Sequence, residues 1–141
     1  MELYFSSVCQ GNPGVAGVAF LAQHRGEVVH RAGVLIPHCS SNEAEYQALA
    51  LASRWAQTSL HRGTKVFLFG TSPLVVNQVT GKWTARGRLA QMRDHVRDRV
   101  SGLDWSMCEA RGKERDRIRM LSRAVLSGAV LHPHGGAKLP R

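Results

Sequence analysis

The chain lacks a long apolar run. None approaches the roughly 20 residues that span a bilayer, so a membrane-crossing helix is excluded and no membrane partner is expected. Its first residues carry no basic stretch ahead of an apolar core; nothing suggests secretion, and the expected location is the cytoplasm. Cysteine is scarce. Cys9, Cys39 and Cys108 are an odd number without C-x-x-C spacing, which fits reduced, inert thiols in a reducing compartment. A reactive thiol would need a neighbouring base, which the sequence does not show, so the three thiols are expected to be buried and inert. His132 and His134 have no ligand spacing, so no metal site is expected there, and no internal repeat is present.

Acidic residues are few: ten Asp and Glu stand against nineteen Lys and Arg, a net charge of +9. The imbalance is uneven. Residues 1–81 carry five basic and four acidic side chains, whereas residues 82–123 carry twelve and six. A half-domain rich in Arg is what a polyanion-binding surface needs, because neutralising phosphates releases their counterions. The bland alternative is a solvated Arg-rich surface.

What is present is ordinary globular patterning, with 43% hydrophobic residues over 141, enough for one domain with a core. "ELYFSSV" (Glu2–Val8) reads as a strand, "QGNPG" as a turn, and "VAGVAFLAQHRGEVVHRAGVLIP" as two strands joined at His24–Gly26. "SSNEAEYQALALASRWAQTS" then changes period, with Ala44, Ala48, Leu51 and Trp55 on one helical face and Ser40 or Ser41 as cap. "KVFLF" (Lys65–Phe69) is a continuously apolar strand, expected to be buried on both faces. "SPLVVNQV" predicts a short helix with Pro73 in its first turn. A helix over Arg88–Val100, a strand at "LDWSMCEA" and a helix carrying Ile118, Leu121 and Val125 follow. The expectation is an α/β fold: a mixed five-stranded sheet, three antiparallel strands and then strands alternating with helices, flanked by helices. The domain is expected over residues 1–131, with a flexible basic tail over 132–141.

Four segments in order, "CQGNPG" (Cys9–Gly14), "SSNEAEYQAL" (Ser40–Leu49), "TSPLVVNQVTGKW" (Thr71–Trp83) and "RIRMLSRA" (Arg117–Ala124), give the chain a second signature. With the element order, they make residues 2–127 resemble the ribonuclease H family, type I. The resemblance implies that fold. It also implies cleavage of the RNA strand of RNA–DNA hybrids by two divalent ions held on four carboxylates. Mg²⁺ is a hard cation that takes oxygen ligands and clamps the attacking and leaving oxygens. Carried over residue by residue, the four positions fall at Ser6, Glu45, Thr71 and about Arg119. Only Glu45 is a carboxylate. Glu43 lies roughly 200° from Glu45 around the helix and points away. Asp116, three residues from Arg119, is the best replacement candidate. Neutral oxygens on Ser6 and Thr71 cannot balance two divalent charges. Arg119 either pairs with Glu45 through its guanidinium or is solvated.

The resemblance also implies contacts to nucleic acid. It places Asn12, Asn42 and Gln78 against RNA 2′-hydroxyls and Asn77 and Thr84 towards the DNA strand. Asn12 shaping its turn and Asn42 capping the helix are the competing roles. "GKWTARGR" sets Trp83 among Lys82, Arg86 and Arg88, an aromatic with cations that suits a backbone channel; burial of Trp83 in the core is the alternative. Trp55 and Trp105 fall on apolar faces and are expected in the core.

The leading expectation is a ribonuclease H-like protein without two-metal hydrolysis that binds RNA–DNA hybrid or double-stranded RNA and needs no cofactor. Alternatives are a Mg²⁺- or Mn²⁺-dependent nuclease using Glu45, Asp116 and substrate phosphates, a protein-interaction or oligomerisation module, and a binder of some other small polyanion. Protein partners are left open.

Overall fold

The computed structural model describes residues 1–133. Strands β1 (Glu2–Gly11), β2 (Gly14–His24) and β3 (Glu27–Cys39) come first, then α1 (Ser41–Ser59), β4 (Lys65–Gly70), α2 (Pro73–Val79), α3 (Gly87–Val100), β5 (Asp104–Glu109) and α4 (Gly112–Leu126). The five strands form one sheet in the order β3-β2-β1-β4-β5. β1, β2 and β3 pair antiparallel, while β4 lies parallel to both β1 and β5. The expected mixed sheet is therefore present. Of the expected tail, residues 134–141 lie outside the described residues. His132 still meets the sheet, its carbonyl accepting from Arg31 Nε at 2.9 Å.

Local chemistry explains the element boundaries. The β2–β3 hairpin turns on Arg25 (φ 50°) and Gly26 (φ 81°), both left-handed, so the two-residue turn twists with the strands it joins. Pro37 sits in β3, an edge strand, where a missing N–H costs no ladder bond. Ser40, not Ser41, caps α1, its Oγ accepting from Glu43 N at 3.2 Å. Ser72 caps α2 by accepting from Val75 N, ahead of Pro73.

Helices cover the sheet unequally. On one face α1 packs over β1, β2 and β3, with α3 behind it. The core there joins Leu3, Phe5, Val18 and Phe20 to Tyr46, Leu49, Val66, Leu68, Val79 and Val96. On the other face α4 covers β1, β2 and β3, closing a smaller core of Tyr4, Ala19, Leu21, Ile118 and Val125. Several expectations need correction. β4 is not buried on both faces: Val66 and Leu68 are enclosed, but Phe67 is 41% exposed because α4 stops short of β4 and β5. Phe69 is half covered by stacking on Tyr4 at 4.8 Å. The inner face of α1 is also wider than the apolar spacing implied. The helix is held between the sheet and α3, so Glu45, Tyr46, Leu49 and Ala52 are buried with Ala44 and Ala48. Leu51 and Trp55 are only half-buried, Trp55 packing on Phe20 and His30. Trp105 is likewise half-buried against the main core. Among the cysteines Cys39 is buried, Cys9 half-buried and Cys108 exposed, so Cys108 is not the buried thiol expected.

The tightest seam is where β2 meets α4. A methyl group on Gly17 would run into the backbone carbonyl of Ser122 and the amide of Leu126. Helix backbone cannot yield as a flexible side chain can. Gly17→Ala is expected to lower stability by roughly 3 kcal/mol, the upper part of the range for overpacking, and Tm by about 10 °C. Thermal and urea unfolding of the purified variant measure it.

Candidate functional site

Strand alternation sorts the end of β1 between the two faces of the sheet. Leu3 and Phe5 belong to the core under α1, whereas Tyr4 belongs to the core under α4. By the same alternation Ser7 faces α1 and Ser6 faces α4. Ser7 Oγ donates to Glu45 Oε2 at 2.8 Å. Glu45 Oε1 accepts from Thr71 N at 2.9 Å, Thr71 Oγ1 at 2.9 Å and Ser72 N at 3.1 Å. Thr71 follows directly on the last residue of β4, so one carboxylate ties together β1, β4, α1 and the start of α2. The junction lies just past the end of β4, where its parallel pairing with β1 stops at Phe5 and Gly70 while β1 runs on to Gly11.

Behind Thr71 the junction continues as neutral hydroxyls. Ser6 Oγ lies 3.0 Å from Thr71 Oγ1 and 3.3 Å from Ser122 Oγ of α4. Ser6 and Ser122 are completely enclosed. Arg115 adds a cation from α4, donating to the Thr71 carbonyl at 3.1 Å.

Glu45 is 3% exposed. Burial pushes its carboxyl above the ordinary range, and the hydrogen bonds from Ser7, Thr71 and Ser72 oppose that push without cancelling it. Four hydrogen bonds reach the carboxylate, three on Oε1 and one on Oε2.

In front of the junction is a cleft of about 290 Å³ lined by Ser7, Cys9, Asn42, Glu45, Ser72 and Arg119, among others. Arg119 is half-buried on its wall. Of the two roles considered for Arg119, pairing with Glu45 is absent among the described residues; the carboxylate accepts instead from Ser7, Thr71 and Ser72. Among the described residues Arg119 makes no ion pair. Asp116 is exposed and does not line the cleft. Glu43 turns away from Glu45, as expected, and pairs with Arg88 Nε at 2.7 Å.

The residues considered for nucleic-acid contacts separate into two groups. Asn12 is exposed, but its Oδ1 accepts from Ser41 N at 3.0 Å and staples the β1–β2 turn to the start of α1. Gln78 is 5% exposed and committed at both ends: Oε1 accepts from the Tyr46 hydroxyl at 2.8 Å and Nε2 donates to the Thr84 carbonyl at 3.2 Å. Asn77 is half-buried; its Nδ2 donates to Pro73 O, and its own carbonyl accepts from Trp83 N at 2.9 Å. Gln78 and Asn77 thus hold the loop that follows α2. The second group faces solvent: Asn42, Lys82, Trp83, Thr84, Arg86 and Arg88. Trp83 is 49% exposed, so it is not a core residue. Sequence reasoning missed Ser7, Ser72 and Arg115. The i, i+2 relation of Ser7 to Phe5 was the available signal for the first.

A family described as "Reverse transcriptase-like" matches residues 5–115 of the chain. The chain belongs to the ribonuclease H family. It is similar to RNase H1 from the halophilic archaeon Halobacterium salinarum NRC-1, with 30% identity, a TM-score of 0.81, and 91% of this chain and 98% of that one covered. The N-terminal RNase H domain of rv2228c from Mycobacterium tuberculosis shares the fold at 19% identity and a TM-score of 0.78, covering 87% and 97%. LC11-RNase H1, isolated from compost by a metagenomic approach, does so at 21% identity and 0.70, covering 89% and 98%. No curated protein sequence matches significantly.

The donor set here does not fit the paired divalent ions that the ribonuclease H resemblance implies. Glu45 is the one carboxylate lining the cleft and already accepts four hydrogen bonds, and Ser6 and Thr71 offer only neutral oxygens. Arg115 and Arg119 add positive charge. Among the described residues no three His, Cys, Asp or Glu side chains cluster to hold a metal.

Glu45→Gln preserves this network in shape: Oε1 keeps its three donors, and Nε2 can donate to Ser7. The raised native carboxyl binds its proton more readily than the unfolded chain does. Its contribution to stability is therefore full below the unfolded value of about 4.3 and is lost as pH rises through the native value. Glu45→Gln is expected to match the parent near pH 4 and exceed it in stability at pH 8. Glu45→Ala, which strands buried donors, should cost about 3 kcal/mol. Urea midpoints at both pH values separate the three proteins.

Proposed function

We propose that this ribonuclease H family member binds RNA–DNA hybrid or double-stranded RNA through the cleft and the loop following α2, without two-metal hydrolysis and without a resident metal. The engagement of Glu45, the one carboxylate of the cleft, by Ser7, Thr71 and Ser72 carries this reading. The family's chemistry draws metal to carboxylates, and here the retained carboxylate serves the protein's own backbone. Arg119 then stands on the cleft wall as a permanent cation able to meet a phosphate directly, with bidentate geometry suited to it. Trp83 supplies an exposed ring beside Lys82 and Arg86, suited to stacking against sugars or bases. LC11-RNase H1, which shares the fold, has been described in complex with an RNA/DNA hybrid. The chain's net charge of +9 favours the same class of partner.

The reading is tested by hybrid and duplex-RNA binding at two salt concentrations, with cleavage followed in the same samples. Three contacts, from Arg119, Lys82 and Arg86, would give a slope of log affinity against log salt of about −3. Affinity in EDTA should equal affinity in Mg²⁺ or Mn²⁺, and Arg119→Ala should reduce both the affinity and the slope. Cleavage that Glu45→Gln abolishes would establish the metal-dependent nuclease instead. Absence of salt-dependent binding would favour the interaction module.

A further inference from the structure

Between α1 and α3 runs a second groove, about 400 Å³, that none of the cleft chemistry uses. Its α3 wall is a single helical stripe, Arg88, Gln91, His95 and Arg99, at spacings of three, four and four residues. Gln47 faces them from α1, above an apolar floor that includes Met92. No acidic side chain lines it. Asp94 and Asp98, on the same helix, stand outside, and Asp94 pairs with Arg93.

The two ends differ. At the near end Arg88 bonds Glu43, two residues before Glu45, so the groove opens where the cleft region stops. At the far end Arg99 is half-buried. One of its nitrogens donates to the Ala50 carbonyl at 2.8 Å, and the rest of the fork is uncommitted. Arg54, exposed on the next turn of α1, lies close by. Burial first, and repulsion from Arg54 second, hold Arg99 below its ordinary value. Among the described residues neither arginine has a carboxylate partner. Arg99 at the end of the groove, with Arg54 one turn beyond Ala50 on α1, leaves positive charge for an external anion to neutralise.

We infer that the groove between α1 and α3 carries the phosphate backbone of a nucleic-acid strand continuing past the cleft, with Arg88 at its entrance and Arg99 with Arg54 as its distal clamp. The inference rests on the nucleic-acid reading above. Eleven residues of helix separate Arg88 from Arg99, about 16 Å, which is roughly five steps of a stacked strand at 3.4 Å each. Gln47, Gln91 and His95 offer donors between the ends. No exposed aromatic lines the groove, so it offers no stacking platform and favours backbone contact independent of base sequence.

The prediction is a dependence on length. Hybrids confined to the cleft should bind the parent protein, Arg54→Gln and the Arg54→Gln/Arg99→Gln double variant alike. With hybrids extended by about five or more nucleotides on either strand, the parent should bind several-fold more tightly. The double variant should lose that gain, its salt slope falling in magnitude by about 1 to 2. Arg99→Lys, which keeps a charge at the packed position, and a urea midpoint for each variant separate binding from folding. Equal slopes for parent and double variant on extended hybrids would overturn the inference while leaving the cleft reading intact. Absence of binding to any hybrid would overturn both.

Discussion

A carboxylate buried in a protein interior is costly unless donors surround it, and Glu45 is surrounded. Its four hydrogen bonds come from the middle of β1, the residue after β4 and the cap of α2, so one side chain fixes three elements relative to α1. The rest of the candidate interface is hung from that junction. Ser72, whose amide serves Glu45, also caps α2, and α2 through Asn77 and Gln78 holds the loop that presents Trp83. Tyr46, the neighbour of Glu45 on α1, closes the circuit through Gln78.

The electrostatic character of the place follows from the same bonds. Two divalent ions would call for a strongly negative cleft. Here one carboxyl, itself pushed towards its neutral form, faces the guanidinium of Arg119, with Arg115 anchored to the Thr71 carbonyl nearby. Phosphate oxygens approaching such a cleft meet positive charge without an intermediary. The uncommitted arginines along α1 and α3 extend that field away from the cleft.

Much of the fold was legible in sequence because strand period, helix period and turn residues agreed along most of the chain. Where they misled, the cause was tertiary. "KVFLF" reads as doubly buried, yet how far α4 extends over the sheet is not written in β4, and Phe67 is left open. The site was legible as positions more than as contacts. Glu45, Thr71 and Ser6 do meet, and Arg119 reaches the same cleft. The pairing considered for Arg119 left out backbone amides, which have no sequence signature and which the carboxylate accepts from instead. Gln78 shows the same limit: its type suits a ligand contact, but only the fold reveals that Tyr46 and Thr84 consume its amide.

Of the four positions that the ribonuclease H resemblance marks, Glu45 alone is a carboxylate, and its bonding gives it a structural role. Several carboxylates crowded without metal repel one another and raise each other's proton affinity. Hydroxyls at Ser6 and Thr71 remove that repulsion and complete a neutral chain from Ser122 to Glu45. Glu45 is different in kind. Removing it would leave the Thr71 and Ser72 amides and the Ser7 hydroxyl facing a hole, and a buried donor without a partner costs more than the bond it lost was worth. The position is constrained by the backbone it serves, whatever chemistry the cleft performs. A buried acceptor at this position serves the fold itself, so its presence says more about the junction of β1, β4 and α1 than about metal.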